Sequence, residues 1–353
     1  RFLTAFAALG HGEYIIDGDD RMRQRPIGDL VAALNALGAH VEPLITDHGS
    51  RITDSICPPV RVIASGLPGG TAQISAETSS QFLSALLMVA PYAQSPVELL
   101  AEREVNSKPY VDMTIAVMND FGVTVERDGY ERFRVAPQRY RDQSDYIIES
   151  DDTAASYFFA APAICGGSVR VQNIARRSKQ GDIAFLDVLE QMGCEITAGG
   201  SPKSPTSANV GDVGLQNMDW IEVTGPDELE GVDVDMRDIP DTAQTLAAIA
   251  PFANSPTTLR GIASARMKET DRIAATCAEL RRLGVTVEEY PDGLKIYPCE
   301  NIRPAMIQTY NDHRMAMAFA LVGLRAPGIA IENPACVSKT FPNYFEVLEE
   351  LRH

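Results

Sequence analysis

The sequence predicts an α/β protein assembled from repeated helix–strand units, and three observations lead to that expectation. Four segments end a helix in the same way: LNALGAHVE (34–42), MNDFGVTVE (118–126), LEQMGCEIT (189–197) and LRRLGVTVE (280–288). Each passes from an amphipathic helix through Gly into a β-branched run. Gly suits the left-handed position that stops a helix, and β-branched residues suit a strand. Upstream of each lies a second, more apolar helix: 1–10, 79–93, 151–167 and 241–253. A fifth copy opens at NDHRMAMAFALVGL (311–324) and finishes with FPNYFEVLEELRH (341–353).

Between the two helices of each copy comes a short strand: EYIID, SPVELLA, SVRVQNI, PTTLRGI and GIAIENP. The unit is therefore helix, strand, loop, helix, strands, over roughly 70–90 residues, longer than a solenoid repeat. The first helices, rich in Ala, Leu and Met, are expected to be buried on most sides. Polar, turn-rich QRYRDQSDYIIES (138–150) marks a domain boundary, giving domains 1–148 and 149–353. A second polar stretch, 199–217, reads as a long loop. Five copies imply a sixth. RFLTAFAALG reads as a helix already under way, so the chain is expected to be the remainder of a longer protein.

The 353 residues suffice for two or three domains, and 45% hydrophobic content excludes global disorder. No apolar run approaches the ~20 residues of a membrane span. A net charge of −17 argues against a general nucleic-acid or acidic-membrane binder, so any bound anion needs local basic clusters. Cys57, Cys165, Cys194, Cys277, Cys299 and Cys336 are scattered without metal-ligand spacing and read as reduced thiols of a cytosol-like compartment. No metal motif, P-loop, G-x-G-x-x-G or G-x-S-x-G stands in a strand–helix context.

The chemistry is expected at helix starts. Arg21, Arg23 and Arg25 precede a helix expected to begin at Pro26; Ser107 and Lys108 precede one beginning near Pro109. Arg176, Arg177 and Lys179 precede a third; RMKETDR (266–272) and NDHRM (311–315) bring Lys268, Arg272, His313 and Arg314; CVSKTF adds Ser338 and Lys339. A cation at a helix N-terminus opposes the dipole by roughly 0.3–1 kcal/mol. Any one of these is ordinarily a solvated side chain. Six in register with a repeat point to helix fronts that hold a ligand carrying phosphate and carboxylate groups. Ser79, Ser80 and Gln81 open another helix with uncharged donors, although one serine suffices as an N-cap. Asp241 is equally an N-cap or a functional carboxylate. Glu269 should stay ionised while it pairs with Lys268 and Arg272, and becomes a proton carrier if a ligand takes the cations. Asp271 is expected in the first helical turn, favouring the dipole.

RMKETDRIAA, YNDHRMAMAFAL, SSQFLSALLM, SKPYVDMT and RPIGDLVAAL together resemble the 5-enolpyruvylshikimate-3-phosphate (EPSP) synthase family, in one order along the whole chain. The resemblance implies a two-domain fold of βαβαββ units, five of six present, with two units in 1–148, three in 149–353 and the active site in the cleft between. It implies carboxyvinyl transfer from phosphoenolpyruvate to the 5-hydroxyl of shikimate 3-phosphate, without metal or redox cofactor. It also implies shikimate 3-phosphate on Ser79, Ser80, Gln81, Ser107, Tyr110, Asp241, Ser264 and Lys268, and phosphoenolpyruvate on Arg25, Gln81, Arg272, Arg314 and Lys339. Asp241 and Glu269 would carry the protons, with His313 near Glu269. Partners would be these small molecules alone, with no nucleic acid or membrane, in a monomer of the bacterial cytosol or of a plastid.

Three departures stand out. The resemblance implies that a front with the family's GSKS-type lysine segment is absent, Arg1 alone remaining of the G-x-x-R loop, so this chain by itself is expected to be inactive or badly folded unless the front is supplied. Ser264 stands where bacterial members often have Asn. The 199–217 loop is longer than in many members. UDP-N-acetylglucosamine enolpyruvyl transferase is the nearest rival, but many of those enzymes carry a reactive Cys before the RP helix, and DGDDRMRQRP has none. A non-catalytic anion-binding paralogue would not need both carboxylates and every matched cation. An RNA 3′-phosphate cyclase-like protein fits poorly with the charge of −17.

Overall fold

The structure, a computed structural model, describes residues 1–44, 56–75, 79–200 and 219–351. The chain divides into two compact units, Arg1–Ser144 and Asp145–His353, each with its own core.

In the first unit the elements are α1 (Phe2–Ala7), β1 (His11–Ile16), α2 (Gly28–Ala36), β2 (His40–Pro43), β3 (Val60–Ser65), β4 (Gly70–Ile74), α3 (Ser80–Val89), β5 (Val97–Ala101), α4 (Lys108–Asp120), β6 (Glu126–Asp128) and β7 (Arg132–Val135). One sheet is antiparallel in the order β1-β3-β2; the other has the order β4-β5-β7-β6. In the second sheet β4 and β5 are parallel, Gly70 opposite Val97, and β5, β7 and β6 are antiparallel. A parallel pair needs a crossover, and α3 is that crossover.

The second unit has α5 (Asp152–Cys165), β8 (Ser168–Gln172), α6 (Phe185–Gln191), β9 (Glu195–Gly199), β10 (Trp220–Thr224), β11 (Asp233–Asp235), α7 (Ala243–Ile249), β12 (Thr257–Arg260), α8 (Arg272–Arg282), β13 (Val287–Tyr290), β14 (Gly293–Ile296), β15 (Ala305–Ile307), α9 (His313–Arg325), β16 (Ile329–Ile331) and α10 (Tyr344–Glu350). Its sheets run β8-β10-β9, β11-β12-β14-β13 and β15-β16. The order β11-β12-β14-β13 repeats β4-β5-β7-β6, again with a parallel first pair. Both are βαβαββ units, and the three-stranded sheets are the same unit without its first strand.

Local sequence explains much of this. Gly38, Gly122, Gly193 and Gly284, the four expected helix stops, all have positive φ, between 81° and 98°. The apolar helices form the cores: α3 and α5 are buried over most of their length, and α7 throughout. Inside the second unit α5, α7 and α9 pack on one another.

Several expectations need correction. α1 is not buried on most sides, because Phe2, Leu3 and Phe6 are exposed. α2 begins at Gly28, not Pro26; the buried Ile27 precedes it, and its amide donates to the Ile56 carbonyl at 2.8 Å instead of entering the helix. Ser338 and Lys339 do not open α10; they end a 3-10 turn, Pro334–Lys339, and Pro342 holds Phe341 out of helical geometry before Tyr344. The 199–217 stretch lies outside the described residues except for Gly199, which ends β9, and Gly200. No helix among the described residues is long and apolar enough to cross a membrane.

Candidate active site

In the second unit three helix fronts meet at one buried cation. Arg272, the first residue of α8, is 2% exposed. Its Nε and Nη2 donate to Asp312 at 2.8 and 3.2 Å, its Nη1 to Asp241 at 3.0 Å, and its Nη2 also to Glu269 at 2.8 Å. Five donors in a rigid fork suit Arg for this and exclude Lys. Asp312 is 0% exposed and caps α9 by accepting from the Arg314 amide at 3.0 Å.

Asp241 lies inside a 3-10 turn, Pro240–Thr242, and is the N-cap neither of that turn, which is Ile239, nor of α7, which is Thr242, so the N-cap reading is wrong. Its second oxygen accepts from Arg314 Nη2 at 2.9 Å. Glu269 Oε1 accepts from Lys339 Nζ at 2.6 Å. Both carboxylates thus bridge the buried arginine to a cation less deeply held. Burial favours a neutral Glu269, but the Arg272 guanidinium and the Lys339 ammonium outweigh it and hold the carboxyl well below the usual range. Glu269 is ionised while those cations face it. His313 is buried beside Asp312, with Nδ1 at 3.8 Å from it, and burial together with Arg314 pushes its pKa down to about 4. The imidazole is therefore neutral near pH 7. Ser264 lies half-buried in the 3-10 turn Ala263–Met267, and Lys268 follows it directly.

Asp271 is the N-cap of α8, not a first-turn acid: it accepts from the Ala274 amide at 3.0 Å and from Arg266 at 2.8 Å. Of the cations in RMKETDR, Arg266 is thereby tied to the scaffold, with further bonds to Glu289 and the Tyr290 carbonyl.

In the first unit the front of α3 is capped by Ser79, whose hydroxyl accepts from the Gln81 amide at 3.3 Å. Arg1 Nη1 donates to Ser79 Oγ at 3.0 Å and Gln81 Oε1 at 2.9 Å, and its guanidinium lies 4.9 Å from the Phe82 ring centroid. Ser80 is buried at the first helical position. Ser107, before α4, is buried with φ 55°, an uncommon conformation for a residue with a Cβ, and makes no capping bond. Tyr110 lies in the first turn of α4, and Ser84–Thr114 at 2.8 Å ties α3 to α4. Arg25 is half-buried, with Nη1 3.9 Å from Met22 Sδ.

Other expected anion arms belong to the surface. Arg23 pairs with Asp17 at 2.8 Å, Lys108 with Glu104 at 3.0 Å, Arg176 with Asp187 and Glu190, and Arg177 with Asp219. Asp187 and Glu190 lie on α6 and the other acids in adjoining loops, so the cations offset local charge. Arg1 and Asp312 were not singled out for the site from sequence. Asp312 had one signal, an Asp directly before an apolar helix.

A second buried carboxyl stands at the start of α5. Asp152 is buried, its amide donates to Gln180 Oε1 at 3.0 Å, and neighbouring Thr153 donates to the buried Asp182. Burial pushes the Asp152 carboxyl up to about 7. A carboxyl with a raised folded pKa contributes stability at low pH that is lost as pH rises between about 4 and 7. Asp152→Asn is expected to stabilise the protein by on the order of 2–4 kcal/mol at pH 8 and not at pH 4. Urea midpoints at the two pH values check this; no gain at pH 8 would mean the carboxylate is already accommodated.

Solved structures share this fold. EPSP synthase from Acinetobacter baumannii matches with TM-score 0.76 and 22% identity, over 99% of this chain and 76% of that one. The enolpyruvyl transferase NikO from Streptomyces tendae matches with TM-score 0.72 and 18% identity, over 99% and 74%. The architecture is the enolpyruvyl transferase fold. The profile of EPSP synthase, 3-phosphoshikimate 1-carboxyvinyltransferase, matches residues 1–348. The 3-phosphoshikimate 1-carboxyvinyltransferase of Nostoc punctiforme is 49% identical over 346 residues, 98% of this chain and 75% of that protein. The chain belongs to the EPSP synthase family, the shikimate-pathway transferases that move a carboxyvinyl group to 3-phosphoshikimate.

Proposed function

We propose that Asp241 and Glu269 carry the proton transfers of this reaction while the cations around them hold phosphoenolpyruvate. The observation that supports this is the paired arrangement at Arg272: each carboxylate has one oxygen on the buried arginine and the other on a cation, Arg314 or Lys339, that an anionic ligand can take. Lys339 is exposed, so its bond to Glu269 is readily exchanged.

The 5-hydroxyl of shikimate 3-phosphate adds to C2 of phosphoenolpyruvate as C3 gains a proton. The tetrahedral intermediate then loses phosphate and a C3 proton, restoring the vinyl group. Asp241 takes the hydroxyl proton. Glu269 delivers and recovers the C3 proton: once the substrate's carboxylate and phosphate engage Arg314 and Lys339, Glu269 loses a cation and its pKa rises toward the working range. Arg25, Gln81 and Arg272 complete the phosphoenolpyruvate set. Shikimate 3-phosphate is assigned to Ser79, Ser80, Gln81, Ser107, Tyr110, Ser264, Lys268 and the Asp241 carboxylate, with neutral His313 beside the acid–base pair. Six free thiols suit a reducing, cytosol-like compartment, and the substrates are small molecules bound by a monomer.

Phosphate release by the full-length protein with shikimate 3-phosphate plus phosphoenolpyruvate tests the assignment; release only with a UDP-sugar acceptor would overturn it. Arg314→Ala is expected to raise KM for phosphoenolpyruvate on the order of 10- to 100-fold, the worth of a charge-assisted bond, and KM for shikimate 3-phosphate far less. Equal rises would sink the separation of the two binding sets.

A further inference from the structure

The turn that delivers Asp312 is held in an unfavourable conformation. Tyr310 and Asn311 have φ of 54° and 55°, a left-handed region that costs a non-glycine residue about 1 kcal/mol or more. Such a pair persists only where its surroundings over-determine it.

Glu279 does so. It lies about two turns along α8 from Arg272 and is 0% exposed. Its Oε1 accepts from the Tyr310 hydroxyl at 2.8 Å, and its Oε2 from the Gln308 amide at 3.1 Å and Arg282 Nε at 3.0 Å. Burial and the bond to Glu279 push the Tyr310 phenol up to about 12, so it remains a donor at any working pH. The Asp312 amide closes the turn on the Thr309 carbonyl at 2.8 Å. α8 therefore grips residues 308–312 at two points: Glu279 holds Gln308 and Tyr310, and Arg272 holds Asp312. The hydrogen bonds of Glu279 go to Gln308, Tyr310 and Arg282, not to the two acid–base carboxylates, and a buried carboxylate in mid-helix is costly unless it is paired and hydrogen-bonded, as this one is.

We infer that Glu279 and Tyr310 are positioning residues for the carboxyvinyl transfer: their hydrogen bond sets the turn that places Asp312, and through it Arg272 and Arg314, for phosphoenolpyruvate. This rests on the assignment of those arginines to phosphoenolpyruvate.

The test is steady-state kinetics of the full-length protein. Tyr310→Phe is expected to raise KM for phosphoenolpyruvate about 5- to 10-fold, less than the worth of a bond to a charged group because the effect reaches the substrate only through Asp312, with KM for shikimate 3-phosphate within about 2-fold. Glu279→Ala should show the same split more strongly. Glu279→Gln, which keeps an acceptor oxygen and the side chain's length, should recover most of the loss. If Glu279→Ala fails to fold, Tyr310→Phe alone decides. Equal rises in both KM values, or no change in either, would overturn the inference, since a merely structural role has no reason to favour one substrate. Arg314→Ala is measured alongside. If it raises KM for phosphoenolpyruvate and Tyr310→Phe does not, positioning alone fails; if Arg314→Ala is also without effect, the assignment of the arginines falls with it.

Discussion

Glu269→Gln is expected to lower kcat by well over ~10²-fold while leaving shikimate 3-phosphate binding near normal, because a positioned acid–base group contributes ~10²–10⁴-fold and the amide cannot exchange a proton. The shape is nearly unchanged, and the amide oxygen can still accept from Arg272 or Lys339, so the site should stay assembled. With Arg272 and Lys339 both on it, Glu269 is held ionised. The expected loss therefore depends on the substrate displacing at least one of them. Kinetics with direct binding of shikimate 3-phosphate check this. A large loss of binding with turnover intact would show that Glu269 only braces the two cations.

Arg272→Met is expected to destabilise the second unit by about 3–5 kcal/mol, the cost of leaving a buried charge without its partner. Three carboxylates lose one cation, but they do not suffer equally. Asp241 and Glu269 retain Arg314, Lys339 and some contact with water, whereas Asp312 is 0% exposed. The thermal midpoint of that unit should fall by roughly 6–20 °C. Adding Asp312→Asn removes the stranded charge and keeps an N-cap for α9, so the double variant should regain most of the midpoint without regaining activity. If Asp312→Asn brings no recovery in the Arg272→Met background, the loss arises from packing and not from the uncompensated carboxylate.

The repeats were legible because their signals are local. A helix stop depends on a few residues, and Gly38, Gly122, Gly193 and Gly284 each take up the left-handed conformation. The apolar first helices were legible from composition, α1 excepted, since composition says nothing of what covers a face. The candidate site was legible as a set of residue types at helix fronts. Which cations serve a ligand was not. Arg176 and Arg177 look like Lys268 and Arg272 in sequence, yet pair with surface acids. Asp312 went unnoticed because its partner Arg272 stands 40 residues away.

By itself, then, the sequence determined the order of elements, the places where helices stop, the residues available to grip anions and the family to which the chain belongs. All of these depend on neighbours along the chain or on motifs read in order. Only the tertiary structure decided which charges meet. Two helix fronts distant in sequence bring Asp241 and Asp312 onto the buried guanidinium that Glu269 already neighbours along the chain, and Glu279 holds the turn that supplies Asp312. The reason is physical. A charge interaction falls off with distance in space and is strengthened by burial, and neither is written along the chain until the helices pack.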